Sequence, residues 1–282
     1  MKVDAVVVTY NRVDCLKKNL KCLLNQSYEI HNIYVIDNAS MDETKTYLTN
    51  LSKECKKIHY IRLESNTGGA GGFYVGIKTA YESGADYIWG MDDDAYPEKN
   101  ALKNLITDGV ERYGSRECYW SNCDNDLNFE TVTKSVREWM FVGFLLPREV
   151  ISRIGLPRKE FFIYLDDYEY AYRIRKKGYK IYKVKTSEIE HRAGTQNFYP
   201  EKKIGIISLR WIKLPDWKYY YWVRNYILLY SWLDYNKYIT LLLKIPKIYI
   251  FTLIFEKRKE KIFRKAFLHG ISGKAGKYDL SI

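Results

Sequence analysis

Three adjacent carboxylates, Asp92-Asp93-Asp94, close the hydrophobic run Tyr87-Ile88-Trp89-Gly90-Met91. Such a triplet repels itself unless a cation lies between its members. Alternate residues at a strand end point the same way, so Asp92 and Asp94 can offer hard oxygen ligands to Mg²⁺ or Mn²⁺. An ion held there would also take phosphate oxygens of a substrate. The other reading of the same residues is a solvated acidic turn before Tyr96-Pro97. A second acidic group, Leu165-Asp166-Asp167-Tyr168-Glu169, is followed by Arg173. On a helix starting nearby, Glu169 and Arg173 stand at i,i+4 and can pair. Asp166 and Asp167 are then left near the N-terminus, where the helix dipole favours anions. A carboxylate there can stay ionised and act as a base; for Asp166, capping the helix is the alternative.

Asn66-Thr67-Gly68-Gly69-Ala70-Gly71-Gly72 permits close backbone approach and opens a helix, so it can cradle a phosphate or simply form a tight loop. It matches neither the Walker pattern nor the complete dinucleotide fingerprint. His191, in Ile189-Glu190-His191-Arg192-Ala193-Gly194-Thr195, follows a strand and is either structural or a third ligand beside the two aspartates. Cys118 and Cys123 lack the paired spacings of a zinc site and read as ordinary thiols.

The elements that must hold these residues alternate. Ala5 to Tyr10, Ile33 to Ile36, Ile58 to Leu63 and Tyr87 to Met91 are short apolar, β-branched runs of the kind buried in a parallel sheet. Residues 13–25 carry Val13, Leu16, Leu20, Leu23 and Leu24 at helical spacing. Ser40, with Glu43 three residues on, predicts an N-cap for a helix over about 42–52. Residues 112–140 resist assignment. Phe141 to Leu146 and Tyr179 to Val184 predict strands, with a helix between them through Arg175 that Gly178 ends. Alternation of this kind implies right-handed βαβ units, whose ligands bind beyond the carboxyl ends of the strands. Thr9-Tyr10-Asn11, Asp37-Asn38, Asn66 with its glycines, and the acidic triplet all fall on that rim.

The 282 residues carry a net charge of +12 and 45 aromatics, and they are neither disordered nor collagen-like. Residues 1–203 hold only +2 of that charge; residues 204–282 hold +10 and 17 of the aromatics. We therefore expect two domains, a near-neutral one over 1–203 and a basic, aromatic, helical one over 204–282. The five cysteines suggest a reducing compartment, and Met1 to Asp4 run straight into a strand with no signal peptide. In the candidate span Tyr238 to Phe255, Lys244, Pro246 and Lys247 oppose membrane crossing. The composition suits an anionic membrane surface better, with Lys257, Arg258, Lys259, Lys261, Arg264 and Lys265 facing the lipid. Packing of the aromatics on the protein itself, or a homodimer interface, are the alternatives.

In order along the chain, Val7-Val8-Thr9-Tyr10-Asn11-Arg12, Val35-Ile36-Asp37-Asn38-Ala39-Ser40, the glycine-rich loop, Asp92-Asp93-Asp94, Leu165 to Glu169 and His191 resemble a family 2 glycosyltransferase with the GT-A fold. Tyr219-Tyr220-Tyr221-Trp222-Val223-Arg224-Asn225 is similar to a segment of the galactofuranosyl- and rhamnosyltransferase-like branch. The resemblance implies an α/β sheet flanked by helices, with Thr9, Asn11, Arg12, Asp37, Asn66, Gly68, Gly69, Gly71, Gly72, Asp92 and Asp93 along the nucleotide-sugar. It implies that Asp92, Asp94 and His191 hold Mn²⁺ or Mg²⁺, that Asp167 is the catalytic base, and that Asp166 and Glu169 lie on the acceptor side. It implies an inverting transfer from a UDP-sugar, galactofuranose ahead of rhamnose or another hexose, to a glycan or glycolipid acceptor. The enzyme would be cytoplasmic, attached peripherally to the inner face of the cell membrane. No Gln-x-x-Arg-Trp motif follows, so processive synthesis is not expected. A nucleotidyltransferase would need a basic, glycine-rich triphosphate loop near its N-terminus, unlike Thr9 to Arg12. A nucleic-acid-binding module would place its basic residues around a motif, and no nucleic acid partner is expected.

Overall fold

The computed structural model describes residues 1–124, 129–191, 200–204, 207–232 and 240–279. It divides into two compact units: Met1–Lys159 with Asp166–Arg192, and Glu160–Leu165 with Ala193–Ile282. Parts of earlier expectations, Arg192 to Thr195 beside His191 and the start of the candidate span at Tyr238, lie outside the described residues.

The first unit is built on a nine-stranded sheet. Its parallel half comprises β1 (Val3–Thr9), β2 (Asn32–Asp37), β3 (Ile58–Arg62) and β4 (Tyr87–Asp92), in the order β3-β2-β1-β4. The apolar runs are continuous because β1, β2 and β4 are covered on both faces. The chain starts at β1, moves outward to β3, then returns to lay β4 on the other side of β1. That reversal opens a crevice at the carboxyl ends of β1 and β4. In this register Val8 faces Asp92 and Thr9 faces Asp37, so the predicted rim is a single edge.

Helix α1 (Val13–Leu24) buries Leu16, Leu20 and Leu23 at the expected spacing. Helix α2 (Thr44–Glu54) starts later than its sequence suggests. Ser40 does not cap it: its Oγ accepts from the Asn11 N–H at 2.9 Å. Glu43 holds the N-cap position with no side-chain cap bond, and Asp42 just before it takes the N–H of Thr44 on one oxygen and that of Val13 on the other, both at 3.1 Å. Helix α3 (Gly68–Glu82) lies close on the sheet. A β-carbon at Gly76 would stand 2.3 Å from Val6 Cγ1, and one at Gly72 2.5 Å from Val8 Cγ1, so these glycines let helix and strand approach.

The other half of the sheet, which mixes antiparallel and parallel pairs, was only partly legible. Next to β4 come β8 (Phe144–Pro147), β6 (Cys118–Asn122) and β9 (Ile181–His191), with β5 (Ala95–Pro97) and β7 (Thr133–Val136) both pairing with β9. Short helices α4 (Ala101–Asn104), α5 (Glu111–Tyr113) and α6 (Arg148–Ile154) connect them. Helix α7 (Asp166–Lys176) has its acids in the first turn and its bases in the last, which suits the helix dipole. All five cysteines are free.

The second unit contains an antiparallel hairpin, β10 (Glu201–Ile204) with β11 (Ile207–Arg210), and helices α8 (Asp216–Trp232), α9 (Ile245–Phe255) and α10 (Glu260–Ile271). Tyr219, Tyr220 and Tyr221 do not display their rings outward. They are buried with Val223, Ile227, Ile262, Phe263 and Ala266 in a core of their own. Their hydroxyls are satisfied there by Thr252, His269 and Tyr278, as buried tyrosines require. Among the described residues no helix is long and apolar enough to cross a membrane.

Candidate active site

The acidic triplet divides its members. Asp93 turns inward and is fully buried; Thr9 Oγ1 donates to it at 2.6 Å, and Arg12 Nη2 lies 2.5 Å away. Asp93, expected along the donor, lies beneath the rim and holds Thr9 and Arg12. Asp92 and Asp94 face the other way, as alternation requires. Strand β5 leaves directly from Asp94 and pairs antiparallel with β9, setting Ala95 opposite His191. This pairing brings ligand atoms of Asp92, Asp94 and His191 within 4.8 Å of one another. Arg12 Nη1 donates to Asp94 Oδ2 at 2.7 Å.

The electrostatics fit a cation. Burial and the neighbouring charges of Asp94 and Asp93 hold the Asp92 carboxyl well above its ordinary range. Burial lifts Asp93 to about 6 against the pull of Arg12 and Thr9. At Asp94 burial is outweighed by His191 and Arg12, and its carboxyl falls below the ordinary value. Oδ1 of Asp94 is buried without a hydrogen-bond partner, an acceptor left for something else to satisfy. Two carboxylates and an imidazole accommodate a divalent ion, whose charge would reverse the repulsion that raises Asp92.

Around the rim, side chains brace the loops. Asn11, at a φ of 53°, takes the N–H of Met41 on its Oδ1 at 2.6 Å. Asn38 donates to Gly68 O and accepts from Thr67 N and Oγ1, and Asn66 Oδ1 accepts from Gly68 N at 2.8 Å. These bonds fix the glycine-rich turn. Asp37 is buried and accepts from Ser40 N at 2.8 Å, Tyr60 Oη at 3.0 Å and Arg62 Nη1 at 2.7 Å. The sequence reading missed Arg62, yet the parallel register sets it directly opposite Asp37; a basic residue ending the next strand was the available signal. Gly71 packs against Thr67 and Gly72 against Val8 and Asn38, so both support the turn, whereas a β-carbon at Gly69 would meet open space.

At the start of α7, Asp166 is close enough to Asp92 to raise its pKa. Burial raises the carboxyls of both Asp166 and Asp167, and the charge of Asp167 raises Asp166 further. For Asp167 burial is the largest effect, opposed by the N–H of Tyr168 and supported by the charge of Glu138, and it holds the carboxyl above its ordinary range. Glu138 was not anticipated. Glu169, expected on the acceptor side, is buried at 1% exposure and accepts from Arg158 at 3.1 Å and from Arg173 at 2.8 and 3.0 Å. It holds α7 in place; the i,i+4 pair with Arg173 is present as expected.

A parallel half-sheet with an acidic switch point, completed by a mixed half that carries a histidine to it, is the GT-A glycosyltransferase fold. Residues 4–111 match the family described as glycosyl transferase family 2. It is 25% identical to galactofuranosyltransferase GlfT1 of Mycolicibacterium smegmatis over 70% of this chain and 73% of that one. It is 26% identical to the dTDP-rhamnosyl transferase RfbF of Shigella flexneri over 97% of both chains. The fold is also that of GalNAc-T7, solved with UDP, GalNAc and Mn²⁺, at a TM-score of 0.66 and 12% identity over 96% of this chain and 56% of that one.

Proposed function

We propose that this chain is an inverting, metal-dependent hexosyltransferase that moves galactofuranose from a UDP-sugar to a hydroxyl of a lipid-linked surface glycan. The observation that carries the reading is the meeting of Asp92, Asp94 and His191 at the β1–β4 switch point. Those three residues would hold the ion, and the mixed oxygen and nitrogen set suits Mn²⁺ better than Mg²⁺. When bound, a divalent ion there supplies charge neutralisation for the departing diphosphate. Asp37 keeps acceptor capacity for an N–H of a uracil ring, since its two oxygens offer about four lone-pair sites. Asn66, Gly68 and Gly69 lie along the donor. Asp167 takes the proton of the acceptor hydroxyl as it attacks the anomeric carbon, a contribution of about 10²–10⁴-fold. One base and in-line attack give inversion.

The GlfT1 likeness and the UDP and Mn²⁺ of the GalNAc-T7 structure support the donor and the ion. The RfbF likeness runs over nearly the whole chain and favours dTDP-rhamnose as a second reading. A panel of nucleotide-sugars, assayed for Mn²⁺-dependent transfer or hydrolysis, separates the two; activity with neither donor would contradict both.

We further propose attachment to an anionic membrane face through the second unit. Leu242, Leu243, Ile250 and Ile254 are all more than half exposed, and Lys244, Lys247, Lys257, Arg258 and Lys261 are exposed in the same unit. Apolar side chains beside a basic rim suit a lipid interface.

A further inference from the structure

Residues 160–165 leave the first unit and pack within the second, immediately before Asp166 and Asp167. Phe162, Tyr164 and Leu165 adopt φ of 66°, 69° and 66°. None is glycine, and bulky side chains oppose that left-handed conformation. A restraint must therefore hold it, and α8 supplies one. The two N–H groups of Asn225 Nδ2 are shared among the carbonyls of Phe161, Ile163 and Tyr164, which lie 2.9, 2.7 and 2.9 Å away. Arg224 Nη2 donates to Phe161 O at 2.9 Å, and its Nη1 donates to Gly276 O at 2.5 Å. Gly276 in turn donates its N–H to Glu160 O at 2.7 Å. The two side chains brace each other, because Asn225 Oδ1 accepts from Nε and Nη2 of Arg224 at 2.9 and 2.7 Å. Both are buried, Arg224 at 1% and Asn225 at 0% exposure. The Phe162 ring stacks on Tyr221 with centroids 4.7 Å apart.

A buried guanidinium is a poor choice for stability alone, since apolar replacements of buried charges are often neutral or better. Here its hydrogen bonds go to main-chain carbonyls and to Asn225. The gripped segment ends one peptide bond before α7, so the dihedrals of Leu165 set how that helix starts. We propose that Arg224 and Asn225 are positioning residues for the transfer, fixing the 162–165 backbone and through it the placement of Asp167. The proposal rests on the reading of Asp167 as the base.

The test uses the full chain and the variants Asn225→Asp and Arg224→Lys. Asn225→Asp removes the donors but keeps the shape; Arg224→Lys keeps the charge but loses the fork. Two readouts are taken: hydrogen exchange of the amides of residues 162–168, and transfer kinetics with UDP affinity measured in Mn²⁺. In both variants exchange over 162–168 rises about tenfold while that of β1 to β4 is unchanged, the rise expected for a local opening made easier by one lost interaction. A misplaced base lowers kcat by about 10²-fold, with UDP affinity and donor KM unchanged. Unchanged exchange in a folded variant overturns the clamp. Faster exchange with unchanged kcat, or kcat and UDP affinity falling together, overturns the positioning role. If Asn225→Asp fails to fold by near-ultraviolet circular dichroism, Arg224→Lys carries the same expectations. If the parent protein transfers from no donor, the glycosyl-transfer reading fails, and the exchange measurement still decides the clamp.

Discussion

His191 Nε2 stands 3.4 Å from Asp94 Oδ1, a contact made by the pairing of the three-residue strand after the acidic triplet with the end of β9. That distance is long for a hydrogen bond and leaves both groups aimed at one point. His191→Ala and Asp94→Asn should each weaken Mn²⁺ binding by about 10-fold or more, as loss of one ligand from a set of three implies. Calorimetric titration of Mn²⁺ in the presence of UDP reads this directly. Unchanged affinity in both variants would remove the ion from this site.

Asp167→Asn should abolish transfer while UDP still binds, because the amide cannot accept the proton. In the parent enzyme the base must be ionised to work. Burial holds the Asp167 carboxyl above the ordinary carboxylate range, so kcat should fall as the pH drops from neutrality, before ordinary carboxylates protonate. A kcat that is flat from about pH 5 to 7 at saturating donor and Mn²⁺ would assign the proton transfer elsewhere.

Glu169→Gln should leave UDP affinity unchanged and cost stability instead. The carboxylate is buried while Arg158 and Arg173 are 42% and 21% exposed. Water softens the loss on the arginine side, and about 2–3 kcal/mol is expected. Urea unfolding gives the value; a change under about 0.5 kcal/mol, the level of an ordinary surface substitution, would mean the pairs hold little.

Gly76→Ala should destabilise by about 1–3 kcal/mol, the usual cost of overpacking, because its β-carbon would meet Val6 Cγ1 at 2.3 Å. Gly69→Ala meets nothing and should be neutral or slightly stabilising in the same melt. Equal effects at the two positions would contradict close packing of α3 on the sheet.

Those contrasts mark where the sequence was readable. Buried parallel strands write themselves as continuous apolar runs, so β1 to β4 and their polar ends were legible, as was the joint placement of Asp92 and Asp94. Strand β5 has three residues, and β6 and β7 lie in a polar stretch; they exist through pairing with distant β9 and leave no local period. Ser40 was misjudged because Asn11 competes for its hydroxyl, a tertiary contact that spacing cannot show. Glu169 was placed on the acceptor side and paired with Arg173, but nothing local reveals that Arg158 also reaches it. The clamp of Arg224 and Asn225 on residues 161–164 depends on contacts between distant parts of the chain, and its left-handed φ values fall on Phe, Tyr and Leu, which carry no such signal.

Liposome flotation tests the proposed membrane face. Vesicles with anionic lipid should carry the protein at low salt and less of it at high salt, since up to about 1 kcal/mol per basic residue near the surface is screened. Ile250→Asp with Ile254→Asp should reduce flotation with transfer to a soluble acceptor unchanged. Absence of flotation at either salt, with a dimer in solution that the same substitutions dissolve, would give that face to a second copy of the chain.

The central claim is Mn²⁺-dependent glycosyl transfer at the β1–β4 crevice. Its most direct test is initial-rate transfer from UDP-galactofuranose and dTDP-rhamnose to a lipid-linked glycan acceptor, with Mn²⁺ titrated and then chelated, for the parent chain and Asp94→Asn. The account predicts transfer from one donor that saturates with Mn²⁺, stops on chelation and is lost in the variant. Transfer that persists under chelation, or equally in Asp94→Asn, would contradict it.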